Sequence, residues 1–241
     1  MQFTKGARCS VQGKHYEERI ATLCRTIKSI HLDKPFNTQY KNELGGCSAG
    51  QDVYVNFREI QDIGVEVKRM TPDWMQMSII PGVHPSKIWN STSRSKIPLE
   101  SKTIFTSLLS NLDMFPAPPF LQKEITYEEW LEIKTIYKDR YLDIPNDTIS
   151  RAYNAKGTQY IQLLNYGLYH TGDDLCNFQV PFFECEQRLR VRCKRHGKKD
   201  ALGNNVPSSV MASLCPKLKT LPKSPYSLDN IYNLPPGLVN F

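Results

Sequence analysis

Three residues have the types and the spacing needed for phosphodiester hydrolysis. Asp52 ends a glycine-rich stretch, GGCSAGQD, and Glu66 and Lys68 stand two positions apart in IGVEVKRM. Residues two apart on a β-strand project from the same face, so an ammonium group would lie beside a carboxylate. Mg²⁺ prefers oxygen ligands, and it can neutralise a phosphate and make water nucleophilic. The pattern predicts a metal site at Asp52 and Glu66, with Lys68 orienting or helping to deprotonate the attacking water.

A β-hairpin is the element expected to bring these residues together. DVYVNF and IGVEVKRM are rich in β-branched and aromatic residues and alternate in polarity, and REIQD between them is typical of a turn. Asp52 begins the first strand, whereas Glu66 lies within the second. Pairing of the two strands would place both carboxylates at one site.

An amphipathic helix is predicted upstream, from Gly13 to about Ile30. Its apolar positions follow helical periodicity and are Tyr16, Ile20, Leu23, Cys24 and Ile27. At 100° per residue, Glu17 falls on the margin of the apolar stripe and Glu18 on the far side. Glu17 is therefore a candidate third carboxylate, and Glu43 in the loop before Asp52 is its rival.

The helix bearing HYEER, the approach GGCSAGQD and the strand VEVK together resemble the PD-(D/E)XK nuclease superfamily, which includes restriction endonucleases and Holliday-junction resolvases. The resemblance covers residues 13–80 and implies catalytic roles for Glu17, Asp52, Glu66 and Lys68, with the three acids as metal ligands. It also implies a contribution from Gln76, on a short helix that Asp73 would start. The family's proline before the aspartate is Gln51 here.

This resemblance implies an α/β fold with a central mixed β-sheet flanked by helices, like the core of a restriction endonuclease. The expected activity is Mg²⁺-dependent hydrolysis of DNA, with Mn²⁺ able to substitute. A homodimeric type II restriction-type enzyme acting on double-stranded DNA is the first expectation. A junction resolvase or other structure-directed nuclease is an alternative, and a non-catalytic nucleic-acid-binding protein on a degenerate nuclease scaffold is another. Sequence does not separate these from an RNA endonuclease or an exonuclease.

A basic strand is predicted in QRLRVRCKRHG, where charged residues alternate with apolar ones. Arg190, Arg192 and Lys194 would share one face and contact DNA phosphates. The formal net charge of +7 favours a polyanionic partner. The alternative interpretation is an edge strand that carries charge to block unwanted pairing.

Domain organisation is expected to be simple: one α/β domain over residues 1–215, then a proline-rich tail over 216–241 that runs extended over the surface. Further elements include a helix at 102–112, a capping box at Thr126 and Glu129, and a strand with a glycine interruption in TQYIQLLNYGLYH.

Composition excludes several classes of protein. The sequence contains no apolar run long enough to span a bilayer, no secretory signal, and neither a phosphate-binding P-loop nor a dinucleotide fingerprint. We therefore expect a soluble, intracellular protein. Its seven cysteines lack the spacing of a disulfide framework and indicate free thiols. A zinc site from Cys176, Cys185, Cys193 and His196 is a weaker alternative, because the close CxxC pairs are missing.

Overall fold

The chain is mixed α/β, with two β-sheets and four α-helices among the residues that the structure, a computed structural model, describes. Those residues are 5–27, 50–58, 60–82, 89–92, 97–118, 121, 126–194 and 209–238. Contacts divide the chain into two compact units. The first comprises 1–71, 147–185 and 218–241, and the second 72–146 and 186–217. Each sheet lies within one unit, and the chain passes between the units four times, after residues 71, 146, 185 and 217. The expected single domain over 1–215 stays a prediction.

The first unit contains helices α1 (Lys5–Thr26) and α4 (Thr148–Asn154) and a four-stranded sheet. Its strands are β1 (Val53–Phe57), β2 (Ile60–Lys68), β6 (Tyr160–Leu163) and β7 (Gly167–His170), in the order β1-β2-β6-β7. The pair β2 and β6 is parallel, and the other two pairs are antiparallel. The predicted hairpin is confirmed as β1 and β2. This sheet is mixed, as expected for α/β.

Helix α1 packs its apolar stripe on one face of this sheet. Tyr16, Ile20, Cys24 and Ile27 are buried and share a core with Val65 and other strand residues. Glu18 is exposed and Glu17 is half-buried, as the helical periodicity predicts. The amphipathic helix is confirmed, although it begins at Lys5 rather than at Gly13.

The segment TQYIQLLNYGLYH forms two strands rather than one. Asn165 and Gly167 have positive φ angles of 67° and 103°, which turn the chain between β6 and β7. A Cβ atom at Gly167 would lie 2.4 Å from the Tyr226 carbonyl oxygen, so glycine is required there by close backbone approach as well.

The proline-rich segment after 216 packs on the first unit. Leu228 and Leu238 are buried in the same core as α1. Gln162 accepts a 2.8 Å hydrogen bond from Leu228 N, and Tyr16 donates one of 3.0 Å to Asp229. Leu228 and Leu238 therefore anchor the segment to the core that α1 and the sheet share.

The second unit contains helices α2 (Leu99–Leu109) and α3 (Tyr127–Lys134) and a five-stranded antiparallel sheet. Its strands are β3 (Trp74–Pro81), β4 (Trp89–Ser91), β5 (Arg140–Ile144), β8 (Gln187–Lys194) and β9 (Ser209–Pro216), in the order β4-β3-β9-β8-β5. The predicted helix near 102–112 and the Thr126–Glu129 capping box are confirmed.

The short helix predicted after Asp73 is wrong, because Trp74–Pro81 is strand β3. Met77 and Ile79 are buried two positions apart, and β3 pairs with both β4 and β9. Strand pairing on both sides outweighs the weak local helix signal.

No helix among the described residues is long and apolar enough to cross a membrane.

Candidate active site

The β1–β2 hairpin brings Asp52 to Glu66 and Lys68. Val53 pairs with Val65, so Asp52 lies across from Glu66. The Asp52 carboxylate accepts a 2.9 Å hydrogen bond from Val67 N, and its Oδ2 lies 3.6 Å from Lys68 Nζ. Lys68 Nζ also donates to Glu66 Oε1 at 2.5 Å. The three residues predicted from sequence therefore form one charged cluster, fixed by a backbone amide.

Strand alternation sends this cluster to the face opposite the α1 core. Val65 and Val67 are buried against α1, so the side chains between and after them project the other way. The Glu66 side chain is only 5% exposed, whereas those of Asp52 and Lys68 are 22% and 21% exposed. The cluster combines one buried carboxylate with two groups that reach solvent.

A second lysine, which sequence reasoning missed, completes the cluster. Lys156 Nζ donates to Glu66 Oε2 at 2.7 Å, and the Lys156 side chain is 3% exposed. Lys156 lies in the turn between α4 and β6, and the parallel pairing of β6 with β2 carries that turn to Glu66. Nothing local in NAKGT distinguishes it from an ordinary turn lysine.

A buried tyrosine ring lies under both ammonium groups. Lys68 Nζ and Lys156 Nζ are 5.8 and 5.3 Å from the ring centroid of Tyr153, on α4. The face of an aromatic ring attracts cations, and a desolvated site strengthens that attraction. Tyr153 therefore helps to hold two positive charges close to one carboxylate.

Gln51 connects the loop before Asp52 to the turn that carries Lys156. Its Nε2 donates to the Lys156 carbonyl oxygen at 2.8 Å, and its Oε1 accepts a hydrogen bond from the Thr158 hydroxyl. A Cβ atom at Gly64 would lie 2.7 Å from Gln51 Cγ and 2.6 Å from the Gly157 carbonyl oxygen. Gln51 thus has a packing role at the position where the resembled family has proline.

Glu17 lies close enough to the cluster to feel its charges. Burial, followed by the negative charge of Asp52, raises the pKa of Glu17 to about 7, while Lys68 opposes the shift. Glu17 is thus within electrostatic reach of the cluster, and its role as the third acid stays a prediction. Its rival Glu43 lies outside the described residues.

The remaining charges of the cluster are strongly coupled. Burial and the Glu66 carboxylate raise the pKa of Asp52. Burial alone would raise the pKa of Glu66, but Lys68 and Lys156 lower it below its ordinary value. Burial alone would lower the pKa of Lys68, but Asp52 and Glu66 raise it well above its ordinary value. Lys68 is therefore a cation here, suited to charge neutralisation more than to accepting a proton.

The acids fit a hard divalent cation by type, since carboxylate oxygens are the ligands that Mg²⁺ takes. Their arrangement is closed by lysines, because both oxygens of Glu66 bind ammonium groups. Within the described ranges, no group of three or more His, Cys, Asp or Glu side chains is arranged to hold a metal ion. A cation at Glu66 would share that carboxylate with two ammonium groups, whose positive charge opposes its binding.

The other predicted site residues belong to the second unit. Gln76 lies on strand β3, not on a helix. Arg190, Arg192 and Lys194 alternate with buried residues on β8, so the predicted basic strand is confirmed. It is an inner strand between β9 and β5, which removes the edge-strand interpretation.

Two of the strand's arginines form ion pairs. Arg190 contacts Asp73 at 3.1 Å and Asp139 at 2.6 Å, and Arg192 contacts Asp73 at 3.1 Å. Guanidinium groups already matched with carboxylates have less charge to offer a phosphate. These contacts favour a structural role for Arg190 and Arg192.

The cysteines that the structure describes in detail are buried free thiols: Cys24, Cys176, Cys185, Cys193 and Cys215. Burial raises the pKa of Cys176 to about 11 and that of Cys193 to about 12. His196, the remaining candidate zinc ligand, lies outside the described residues.

Comparison with known proteins gave no match to a protein-family model, to a curated protein or to a solved structure.

Proposed function

We propose that the chain is a metal-dependent nuclease that hydrolyses phosphodiester bonds in DNA. The observation that carries the proposal is the convergence of Asp52, Glu66 and Lys68 at the β1–β2 hairpin, with Glu17 in electrostatic reach. A buried carboxylate surrounded by other charged groups is costly to fold, and such clusters concentrate at functional sites.

In this proposal Asp52, Glu66 and Glu17 hold Mg²⁺, or Mn²⁺ in its place. The bound ion supplies charge neutralisation at the phosphate and a more acidic water. The backbone amide of Val67 orients Asp52. Lys68, as an ammonium group, orients the attacking water and offsets negative charge on the phosphate.

Double-stranded DNA is the proposed substrate, supported by the net charge of +7. A type II restriction-type endonuclease acting as a homodimer is the first candidate, since each active site cuts one strand. A junction resolvase or other structure-directed nuclease uses the same chemistry and is the alternative.

A second candidate function rests on Lys156. With both Glu66 oxygens bound by lysines, the cluster can balance its own charge. In a nucleic-acid-binding protein on a degenerate nuclease scaffold, such a cluster would be stable without a metal ion. Cleavage of DNA is the property that separates the two candidates.

The test is incubation of supercoiled plasmid with purified protein in Mg²⁺, in Mn²⁺ and in EDTA. Asp52→Asn and Lys68→Met should each lower the cleavage rate by about 100-fold or more. Asp62→Asn is the matched control, because Asp62 is an exposed carboxylate on the same hairpin, and it should cleave like the wild type.

Discrete fragments that disappear in EDTA and in both site variants would support a sequence-specific endonuclease. Nicking or a smear with the same losses would support the chemistry and point to structure-directed cutting. Absence of cleavage in both metals, on plasmid and on a four-way junction, would overturn the nuclease in favour of the binding protein. Equal loss in Asp62→Asn would remove the site assignment.

A further inference from the structure

Lys156 binds the carboxylate of Glu66, which the proposed function assigns to the metal. Its Nζ lies 2.7 Å from Glu66 Oε2, and Lys68 Nζ lies 2.5 Å from Oε1. The two ammonium groups therefore engage both oxygens of the same carboxylate, which is 5% exposed. A divalent cation that takes Glu66 as a ligand meets the positive charge of both ammonium groups, which opposes its binding.

The two lysines differ in how firmly they are held. Lys68 shares its charge between Glu66 and Asp52, and its side chain is 21% exposed. Lys156 is 3% exposed and forms its ion pair with Glu66, and its backbone is fixed by Gln51. Lys68 is also on the same strand as Glu66, whereas Lys156 arrives from a separate turn. Lys156 is thus the cation that reaches Glu66 from another segment of the chain, through the turn between α4 and β6.

We propose that Lys156 is a built-in competitor for the metal, which keeps Glu66 neutralised in the metal-free protein and sets the affinity of the site for divalent cations. The inference rests on the proposed function, because it assumes that Glu66 is a metal ligand. Metal binding then requires the Lys156 ammonium to leave Glu66 Oε2. Affinity for the cation is lowered by the energy of the ion pair that must break.

The test compares the affinity of the wild type and of Lys156→Gln for Mn²⁺ alone. Binding is measured by isothermal titration calorimetry and by the paramagnetic signal of free Mn²⁺. Lys156→Gln should bind Mn²⁺ about tenfold more tightly or better than the wild type, since a competing unit charge at contact distance is removed. Glu66 keeps Lys68 in this variant, so the carboxylate is not left without a cation.

Lys223→Gln is the matched control. Lys223 lies in the same unit, with its ammonium 5.9 Å from the ring centroid of Tyr166, and so resembles Lys156 in its aromatic neighbour. It should bind Mn²⁺ with wild-type affinity. Lys156→Arg, which retains the charge, should not bind more tightly than the wild type.

A measurement on the wild type removes dependence on the folding of any variant. With ¹⁵N-labelled lysine ammonium groups, saturating Mg²⁺ should shift the Lys156 resonance as its ion pair breaks, and should leave that of Lys223 in place. An unshifted Lys156 resonance in protein saturated with Mg²⁺ would overturn the proposal.

The outcomes separate this inference from the proposed function. Equal or weaker Mn²⁺ binding by folded Lys156→Gln, with clear binding by the wild type, would overturn the competitor role and leave the nuclease proposal standing. No Mn²⁺ binding by either protein would overturn both. Tighter binding by Lys156→Gln that is lost in Glu66→Gln/Lys156→Gln would support both the ligand and its competitor.

Discussion

Gln51 Nε2 donates a 2.8 Å hydrogen bond to the carbonyl oxygen of Lys156, 105 positions away in sequence. Gln51 precedes Asp52, and Lys156 binds Glu66 through its side chain. One amide therefore connects the two segments that bring a carboxylate and its buried cation to the same site. The Thr158 hydroxyl adds a second contact to the same side chain.

Replacing Gln51 by alanine should destabilise the first unit by about 1–3 kcal/mol, because the Thr158 hydroxyl and the Lys156 carbonyl lose their partner in a partly buried place. Urea unfolding measures the change. Gln12→Ala is the control, since Gln12 is an exposed glutamine on α1 that accepts a hydrogen bond from Arg69, and it should change stability by less than about 0.5 kcal/mol. Equal effects of the two substitutions would show that Gln51 does not anchor the turn.

Glu17 should make stability depend on pH in metal-free protein. Burial and the charge of Asp52 raise its pKa to about 7, against about 4.3 in an unfolded chain. Between these values the folded protein keeps a proton that the unfolded chain releases, so the free energy of unfolding falls as pH rises.

Glu17→Gln should therefore gain stability relative to the wild type between about pH 4.3 and 7, by about 1–2 kcal/mol once solvent screening of this half-buried group is included. Chemical unfolding in EDTA at a series of pH values measures it. The charges that act on Glu17 include Asp52, Glu66, Lys68 and Lys14. Glu18→Gln, on the exposed side of α1, is the control. A difference in the free energy of unfolding between Glu17→Gln and the wild type that stays constant with pH would contradict the prediction.

Asp73 should contribute to the stability of the second unit through its two arginines. Burial alone would raise its pKa, but Arg192 and Arg190 lower it below the ordinary value. Asp73→Asn should cost about 1–3 kcal/mol at pH 7, because both guanidinium groups lose a carboxylate partner.

A carboxylate with a lowered pKa stabilises the fold above its unfolded value of about 3.9, and that contribution is lost as pH falls through the folded pKa. The difference between wild type and Asp73→Asn should accordingly shrink below about pH 4. Asp113→Asn, an exposed aspartate in the same unit, should change stability by less than about 0.5 kcal/mol. If Asp73→Asn changed the free energy of unfolding at pH 7 as little as Asp113→Asn, these ion pairs would not be stabilising the sheet.

Local sequence patterns were sufficient to predict a helix or strand wherever buried residues recur at the short period of that element. The i, i+4 spacing of Tyr16, Ile20 and Cys24 predicted the buried face of α1, and alternation predicted β1, β2 and β8. The spacing of Glu66 and Lys68 likewise placed both on one strand face. These features depend on the geometry of one helix or strand.

Local patterns failed where a distant strand decided the structure. The segment after Asp73 became β3 because β4 and β9 pair with it on both sides, which its own residues do not show. The position of β8 inside its sheet and the packing of Leu228 and Leu238 also depend on partners far away in sequence. The division into two units has the same origin.

Sequence by itself determined which residues could form a charged site, since residue type and strand periodicity are local properties. Tertiary structure decided which charges meet there. The parallel pairing of β2 with β6 brings Lys156 to Glu66, and the hairpin register sets Asp52 across from Glu66. Pairing between strands is set by the cores on either side of the sheet, so no short stretch of sequence records that Glu66 is bound by two lysines.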